Sequence, residues 1–459
     1  MDEEKAIKRG KRKDVDMTQG SISRHIINFS IPLIIGNLFQ MLYNTVDTWV
    51  VGNFVSDEAF SAVGTVGPAL NMVISFAIGL GAGAGVVISQ YYGARQPERV
   101  SEAVHTAMLS SVMLGAILAV VGCISVPCIL KLMKVPANIY PDASKYLFLL
   151  YALMIPPVIY NIAAGILRAV GDSTRPFHIM VVATLTNIAL DLLFVIQFKM
   201  GVVGVAVATA LAQLISCILA LRILLTETTE IRLIPAKLKI HRNMLRQIIG
   251  IGVPAAVQGC ITSFSNLFVQ SYVNAFGSTV MGGWTAYQKV AQIIQLPIMS
   301  ITTALSTFVG QNLGKNYVDR AKQGVRTSLL INYAFCAVAG VAIYAVAPML
   351  SAFFNSNPEI IKMGTYFLRH IVPMYFLIAT YQTLAAALRG AGSTKVPMFA
   401  MLGGGVAFRQ LYLYVLTHMF PGNILPVSYA YPAGWAMAGI ILVIYYSRVD
   451  LAKTRVVRD

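Results

Sequence analysis

The sequence predicts an all-α integral membrane protein whose twelve transmembrane helices form two similar six-helix halves. Three observations support this prediction. Hydrophobic residues make up 57% of the 459 residues and charged residues only 12%, about half the charged fraction of soluble domains. Apolar runs of about 20 residues, the length that crosses a bilayer, recur along the whole chain. Two sequence patterns also repeat at a constant offset of 221 residues.

Twelve apolar runs define the predicted spans. Several exceed the length that a bilayer requires, so we expect tilting or protrusion from the membrane. The first 21 residues are charged and contain no apolar stretch, so we expect no secretory signal. The runs cover residues 24–53, 58–90, 98–125, 140–168, 175–198, 202–224, 245–275, 279–311, 320–346, 360–389, 396–419 and 428–447.

The predicted organisation has five parts. Two lobes of six spans each are joined by a polar linker and flanked by two tails. The boundaries are residues 1–21 for a basic cytoplasmic tail, 22–226 for the N-terminal lobe, 227–243 for a cytoplasmic linker, 244–448 for the C-terminal lobe and 449–459 for a second cytoplasmic tail.

The distribution of positive charge predicts the topology. A net charge of +16 is also typical of nucleic-acid-binding proteins. Of the 35 Lys and Arg residues, however, 27 fall on the side of the predicted spans that carries both termini, and only six on the other side. Because basic loops stay in the cytoplasm, we expect a multi-pass protein of the plasma (inner) membrane with both termini cytoplasmic and no nucleic-acid partner. The basic run at residues 5–13 then lies near anionic lipid.

The two halves are related by an internal repeat. The pattern ISQYYGARQPERVSEAV at 88–104 returns as VGQNLGKNYVDRAKQGV at 309–325, and a second pair starts at Tyr160 and Tyr381. Since each half has an even number of spans, both have the same orientation, and such parallel repeats place a transporter's substrate site between them. The matched residues include Gln90 with Gln311, Gly93 with Gly314, Arg168 with Arg389 and Gly171 with Gly392.

Two acids lie inside apolar spans, where carboxylates are costly and usually mark an ion or proton path. Asp47 in the first span and Asp191 in the fifth both lie six or seven residues from the same predicted membrane face, or about 10 Å along each helix. Thr209 in the sixth span reaches a similar depth, and Asn187 precedes Asp191 by one helical turn. A structural alternative is that each aspartate reaches for the membrane interface.

The four side chains predict a coupling-ion site in the N-terminal lobe, and two chemistries remain open. Two close, buried carboxyl groups can hold one exchangeable proton near neutral pH. The same oxygen atoms can instead coordinate a hard cation such as Na⁺. We expect no cofactor beyond H⁺ or Na⁺, and no other metal.

The C-terminal half has no acid inside its spans but contains two intramembrane cations, Lys289 and Arg409. They are candidates for the substrate cavity, where they would pair with an acid or meet an anionic group of the substrate. The alternative is a structural bond to carbonyl groups or to a Tyr hydroxyl. Pro32 predicts a kink in the first span, and GLGAGAG at 79–85 predicts close packing between helices.

The sequence resembles the multidrug and toxic compound extrusion (MATE) family over nearly its whole length. The resemblance lies in IPLIIGNLFQMLYNTVDTWVVG, ISQYYGARQPER, LRAVGDSTRP and TNIALD in the first half, and in VGQNLGKNYVDRA and LRGAGSTKVP in the second. It implies a V-shaped pair of lobes and alternating access. It also implies export of drugs or other organic cations in exchange for H⁺ or Na⁺. Asp47, Asn187, Asp191 and Thr209 match the family's N-lobe cation site.

The resemblance also implies further cavity positions at Gln40, Tyr43 and Asn161. The chain departs from members that use C-lobe carboxylates, because it has none there. We therefore expect a transporter, not an enzyme, acting as a monomer in the lipid bilayer on a small, cationic and amphipathic substrate. The sequence leaves two rival functions. A lipid-linked oligosaccharide flippase would favour a strongly cationic cavity. An intramembrane aspartyl protease would use the two Asp residues as acid and base, but this function would account for neither the repeat nor its spacing.

Overall fold

The computed structural model describes residues 15–457, apart from the side chain of residue 57. The predicted basic run at residues 5–13 lies outside this part of the chain. The first half contains seven helices, and a π-helical turn (Leu192–Gln197) extends the sixth. They are α1 (Ile22–Phe54), α2 (Asp57–Gly93), α3 (Pro97–Leu132), α4 (Tyr140–Ala152), α5 (Ile155–Ala169), α6 (Thr174–Asp191) and α7 (Gly201–Thr226).

The second half repeats this order. A 3₁₀ turn (Val372–Met374) joins α11 to α12, and a π-helical stretch (Met401–Phe408) joins α13 to α14. The helices are α8 (Arg242–Asn274), α9 (Ser278–Gly314), α10 (Val318–Phe354), α11 (Pro358–Ile371), α12 (Tyr375–Gly390), α13 (Lys395–Ala400), α14 (Arg409–Met419), α15 (Leu425–Ser428), α16 (Ala430–Arg448) and α17 (Leu451–Thr454).

The predicted fold class is confirmed. In residues 15–457, eleven helical segments are long and apolar enough to cross a membrane, and the pair α4 and α5 provides a twelfth as one span bent by 51°. The bend follows from Pro156 and Pro157 at the start of α5, since proline lacks an amide proton and disfavours helix in the residue before it. The tenth span has a 3₁₀ turn at Pro373 but continues from Pro358 to Gly390 without a comparable bend.

The two halves pack against each other through small residues. On α2, Gly79 and Gly83 lie against α8, where a Cβ added to Gly83 would be 2.6 Å from Ile248 O and 2.7 Å from Gly252 N. Gly81, on another face of α2, meets α5: a Cβ there would be 2.7 Å from Asn161 O. The glycine-rich run therefore allows α2 to approach one helix of each half closely, as its sequence predicts.

The halves separate towards one end of the molecule. We call the end that holds residues 15 and 457 the basic side. Near it, Gly79 on α2 and Gly252 on α8 are buried. Further along the same two helices, Cys260 Sγ on α8 still reaches Met72 O on α2 at 3.5 Å. Beyond this contact, a Cβ added to Gly64 of α2 would meet nothing within 4 Å, and Leu267 on α8 is 54% exposed. The two helices therefore diverge past Met72 and leave a cleft that opens on the side opposite to the basic side.

Candidate functional site

A cluster of four polar side chains, the acid cluster, lies inside the first half next to this cleft. It consists of Asp47 on α1, Asn187 and Asp191 on α6, and Thr209 on α7. Asn187 and Asp191 face the same way because they are one helical turn apart. Both are fully buried, and Asp47 is 7% exposed. The structure thus brings together the four residues for which the sequence predicts a coupling-ion site.

The distances within the acid cluster are those of direct hydrogen bonds. Asn187, with its amide nitrogen turned towards the acids, donates to Asp47 Oδ1 (2.8 Å) and to Asp191 Oδ2 (3.2 Å). Thr209 Oγ1 donates to Asp47 Oδ2 at 3.5 Å. The carboxyl groups of Asp47 and Asp191 are also close enough to share a hydrogen bond. Two carboxylates repel each other in such a position, so this arrangement suits a pair that holds one proton.

One oxygen atom of the acid cluster is free to bind. Asp191 Oδ1 is buried and has no hydrogen-bond partner among the described residues. A buried acceptor without a partner is costly, and a proton or a hard cation would satisfy it. Residue Asp191 also ends α6, directly before the π-helical turn Leu192–Gln197. Turns of this kind occur frequently at functional sites, because the extra residue redirects the side chains that follow.

Two tyrosines surround the acid cluster. Tyr43, one turn before Asp47 on α1, lies within electrostatic range of Asp47 and near Thr209. Tyr146 on α4 is 6% exposed and lies within electrostatic range of both Asp47 and Asp191. The sequence analysis missed Tyr146, because a single tyrosine inside an apolar run carries no signal by itself. Both hydroxyl groups reinforce a polar pocket within an apolar lobe.

Other predicted cavity residues lie outside the acid cluster. Gln40 on α1 is exposed. Lys289 on α9 is exposed as well, and it is three helical turns from Ser300 on the same face. That face meets α1, because Asn37 Nδ2 donates to Ser300 Oγ at 3.4 Å. Lys289 therefore lies on the face of α9 that contacts α1 further along the helix. Asn161 is half-buried, and its Nδ2 bonds Pro157 O of its own helix at 2.8 Å.

Arg409 is enclosed within the second half. Its side chain is 2% exposed, and its Nη2 donates to Ser265 Oγ and to Asn266 Oδ1 on α8. The guanidinium also lies 4.8 Å from the centre of the Tyr431 ring. In this conformation neutral polar groups and an aromatic face surround the charge of Arg409. Pro32 lies within α1, one helical turn before Gly36.

A second polar constellation closes the basic side. Gln90 at the end of α2 and Gln311 at the end of α9 are fully buried, and each reaches into the other half. Gln90 Nε2 donates to Gly390 O at 2.8 Å, and Gln311 Nε2 donates to Ala169 O at 2.9 Å. Both the donors and the acceptors are repeat mates at the offset of 221. We call this symmetric pair the glutamine latch.

The two ends of the described chain complete the latch. Met17 N donates to Gln311 Oε1 at 2.9 Å, and Val456 N donates to Gln90 Oε1 at 2.6 Å. Arg320 Nη2 further holds Met17 O at 3.2 Å. Each terminal segment therefore crosses the seam between the halves. The repeat identifies both glutamines, but it does not assign them to the seam, because their partners lie 142 to 366 residues away in the chain.

The ionised carboxyl group of Asp16 fastens the N-terminal segment. Burial opposes its charge, but hydrogen bonds from Thr18 and the positive charges of Lys315 and Arg95 hold the pKa of Asp16 below its ordinary value. Thr18 N donates to Asp16 Oδ1 at 2.9 Å, and Arg95 Nη2 lies 3.6 Å from Asp16 Oδ2. Asp16 therefore keeps its charge throughout the neutral pH range.

Comparisons with known proteins agree with this architecture. A family model described as MatE matches residues 32–193 and 254–409. The chain is 30% identical over 441 residues to the probable multidrug resistance protein YoeA of Bacillus subtilis (strain 168), covering 94% of both chains. It is 27% identical to the probable multidrug resistance protein YpnP of the same organism, covering 83% of this chain and 85% of that one. A solved structure described as the outward-facing conformation of a multidrug resistance MATE family transporter superposes with a TM-score of 0.89 at 22% identity, covering 97% and 99% of the two chains.

Proposed function

We propose, since the chain belongs to the MatE family of multidrug efflux transporters, that it is a secondary active antiporter that exports organic cations or related small amphipathic molecules in exchange for protons. Its relatives are transporters rather than enzymes, so an intramembrane protease is excluded. The observation that carries the proposal is the contact between Asp47 and Asp191, bridged by the Asn187 amide.

Protons explain this contact better than Na⁺. Two carboxyl groups in hydrogen-bonding contact need one proton between them, and the amide nitrogen of Asn187 donates to an oxygen of each acid. A bound Na⁺ would compete for these same oxygen atoms, and the Asn187 amide would have to turn its oxygen towards the ion. Na⁺ remains the alternative coupling ion, with Asp47, Asp191 and Thr209 as its ligands.

Alternating access would follow if the two ends of the seam between the halves opened in turn. In the conformation described here, the glutamine latch closes the basic side and the cleft opens on the other. We propose that the basic side faces the cytoplasm, as the distribution of Lys and Arg predicts. The cleft then faces outward, where a proton can reach the acid cluster and a substrate can leave. Exchange requires the proton and the substrate to favour different states of the protein.

The cleft suits an amphipathic substrate. Its walls carry amide and aliphatic side chains, among them Gln40 on α1 and Leu267 on α8. A cationic substrate would be attracted by the acid cluster when Asp47 and Asp191 have lost their shared proton, and it would be attracted less when the proton returns. The competition between one proton and one organic cation for the same negative charge would couple the two fluxes.

Transport under a single imposed gradient tests this proposal. Purified protein is reconstituted in vesicles, and movement of a fluorescent organic cation is recorded with a pH gradient alone and with a Na⁺ gradient alone. We expect transport with the pH gradient, and loss of at least about 100-fold in the variants Asp47→Asn and Asp191→Asn. Glu98→Gln, which changes an exposed acid in the first turn of α3 on the basic side, is the matched control and should transport like wild type. Wild-type rates in both Asn variants would refute the role of the acid cluster.

A further inference from the structure

The outer surface of the second half carries a basic cavity, separate from the cleft, that lies at the end opposite to the basic side. It has a volume of about 610 Å³ and lies between α10 and α11. We call it the headgroup pocket. Its lining comprises Tyr344, Pro348, Pro358, Ile361, Lys362, Thr365, Tyr366, Arg369 and His370. Three of these nine side chains can carry a positive charge, and none is acidic.

Arg369 is held in a fixed position that leaves its end groups free. Pro348 has no amide proton, so the carbonyl of Tyr344 one turn earlier lacks its helical partner. Arg369 Nε donates to this carbonyl at 3.3 Å. The guanidinium also stacks on the Tyr344 ring, 5.1 Å from its centre. Among the described residues no hydrogen bond or ion pair involves the Nη atoms of Arg369, which can therefore bind an external acceptor.

The remaining polar groups point to the same cavity. Lys362 lies two helical turns before Arg369 on the same face of α11. His370 Nδ1 donates to Tyr366 O at 2.7 Å, which holds its ring beside the pocket. Thr365 Oγ1 is buried and has no hydrogen-bond partner among the described residues. Donors without acceptors, gathered in one cavity, suit an anionic ligand with several oxygen atoms.

The surroundings of the pocket are those of a lipid interface. Beside it, α10 presents Val341, Met349 and Phe353, which are 74%, 72% and 83% exposed. Large apolar side chains exposed to this extent on one face match acyl chains. Side chains on a helix lean towards its N-terminus, so Lys362 and Arg369 reach towards the membrane surface where α11 begins. Tyr344 and Tyr366 line the pocket, and tyrosine is enriched at membrane interfaces.

We propose that the headgroup pocket binds the phosphate of an anionic phospholipid in the leaflet opposite to the basic side. Arg369 and Lys362 contact the phosphate oxygens, and the acyl chains lie along the exposed apolar face of α10. The continuity between the basic cavity and this apolar face favours a lipid over free phosphate. This site is independent of the acid cluster and of the transport cycle, so the failure of either proposal leaves the other intact.

Native mass spectrometry of the full-length protein in detergent tests the site. Phosphatidylglycerol and phosphatidylcholine, both with dioleoyl chains, are titrated separately, and inorganic phosphate is added in a third arm. We expect tighter binding of phosphatidylglycerol, weakened about five-fold by Lys362→Gln and about 25-fold by Lys362→Gln with Arg369→Gln, since each removed cation costs about one such factor near a charged lipid surface. Inorganic phosphate should not displace the lipid.

Lys145→Gln is the matched control, because Lys145 is an exposed lysine on α4 at the same end of the first half. Equal affinity for phosphatidylglycerol in wild type and in the double variant would overturn the proposal. Displacement of the lipid by an equal concentration of inorganic phosphate would show a free-anion site and would overturn it too. The single variant Lys362→Gln keeps the test decisive if the double variant fails to fold. It should fold like wild type, because the Lys362 side chain is exposed and forms no hydrogen bond among the described residues.

Discussion

Removal of the glutamine latch should open the basic side of the protein. In Gln90→Met the side chain keeps its length but loses its amide, so Gly390 O and Val456 N lose their partners. Gln311→Met removes the two equivalent bonds to Ala169 O and Met17 N. At about 1 kcal/mol for each hydrogen bond, either variant should destabilise the closed basic side by about 2 kcal/mol. That free energy shifts the equilibrium between the two states about 30-fold.

Distances between spin labels report this shift. Glu98 and Asp319 are exposed repeat mates on the basic side, and Asn53 and Asn274 are exposed repeat mates at the ends of α1 and α8 on the other side. One labelled pair at a time is introduced after the five native cysteines have been replaced. We expect each Met variant to lengthen the Glu98–Asp319 distance and to shorten the Asn53–Asn274 distance in a larger fraction of molecules than in wild type.

The symmetry of the glutamine latch provides two independent variants for the same test. Because the two glutamines make equivalent bonds, Gln90→Met and Gln311→Met should shift the populations by similar amounts. Gln96→Met, an exposed glutamine beside the seam whose side chain does not cap α3, is the control and should leave both distances unchanged. Distance distributions that match wild type in both latch variants, with the protein folded, would refute the idea that these bonds hold the basic side shut.

Three further predictions concern the seam and the buried charges. Asp16→Asn should lower the transport rate without moving the pH at which transport is half-maximal. The pKa of Asp16 is lower in the folded protein than in the unfolded chain. The stability that its charge contributes is therefore complete above the ordinary carboxyl pKa of about 3.9 and is lost only as the pH falls through the lower folded value. A pH titration of transport checks this, and a midpoint shift would contradict it. Gly83→Val should destabilise the fold by about 1–3 kcal/mol, because its Cβ would come within 2.6 Å of Ile248 O; unfolding in denaturant measures the loss, and an unchanged midpoint would count against close packing there. Arg409→Met should lower thermal stability by breaking its bonds to Ser265 and Asn266, yet leave the number of protons exchanged per substrate unchanged; a changed ratio would place Arg409 in the coupling machinery.

The sequence predicted the spans and the buried acids well, for a physical reason. A bilayer demands long apolar helices, so hydropathy alone locates them. A carboxyl group inside such an apolar helix is rare, so Asp47 and Asp191 stand out in the sequence. Their neighbours followed from helix geometry, since Asn187 is one turn from Asp191. The structure brings all four members of the acid cluster together.

Other features depend on contacts that no local pattern reveals. The break between α4 and α5 lies within one continuous apolar run, and only Pro156 and Pro157 hint at it. The π-helical turn after Asp191 reflects how α6 packs, not its composition. Gln90 and Gln311 were visible as repeat mates, but their role needs the crossing of α2 and α9 in space. Lys362 and Arg369 form no sequence pattern, because the way in which Arg369 is held depends on Tyr344 and Pro348 of the neighbouring helix.

The central claim is that Asp47 and Asp191 share one proton that substrate binding displaces. Proton release can be measured directly, by adding an organic cation to the purified protein in weakly buffered detergent solution and recording the pH change. The account predicts release of about one proton per bound substrate by wild type, and none by Asp47→Asn or Asp191→Asn. A wild-type protein that binds the cation without releasing protons, or an Asp47→Asn variant that releases as many, would contradict it.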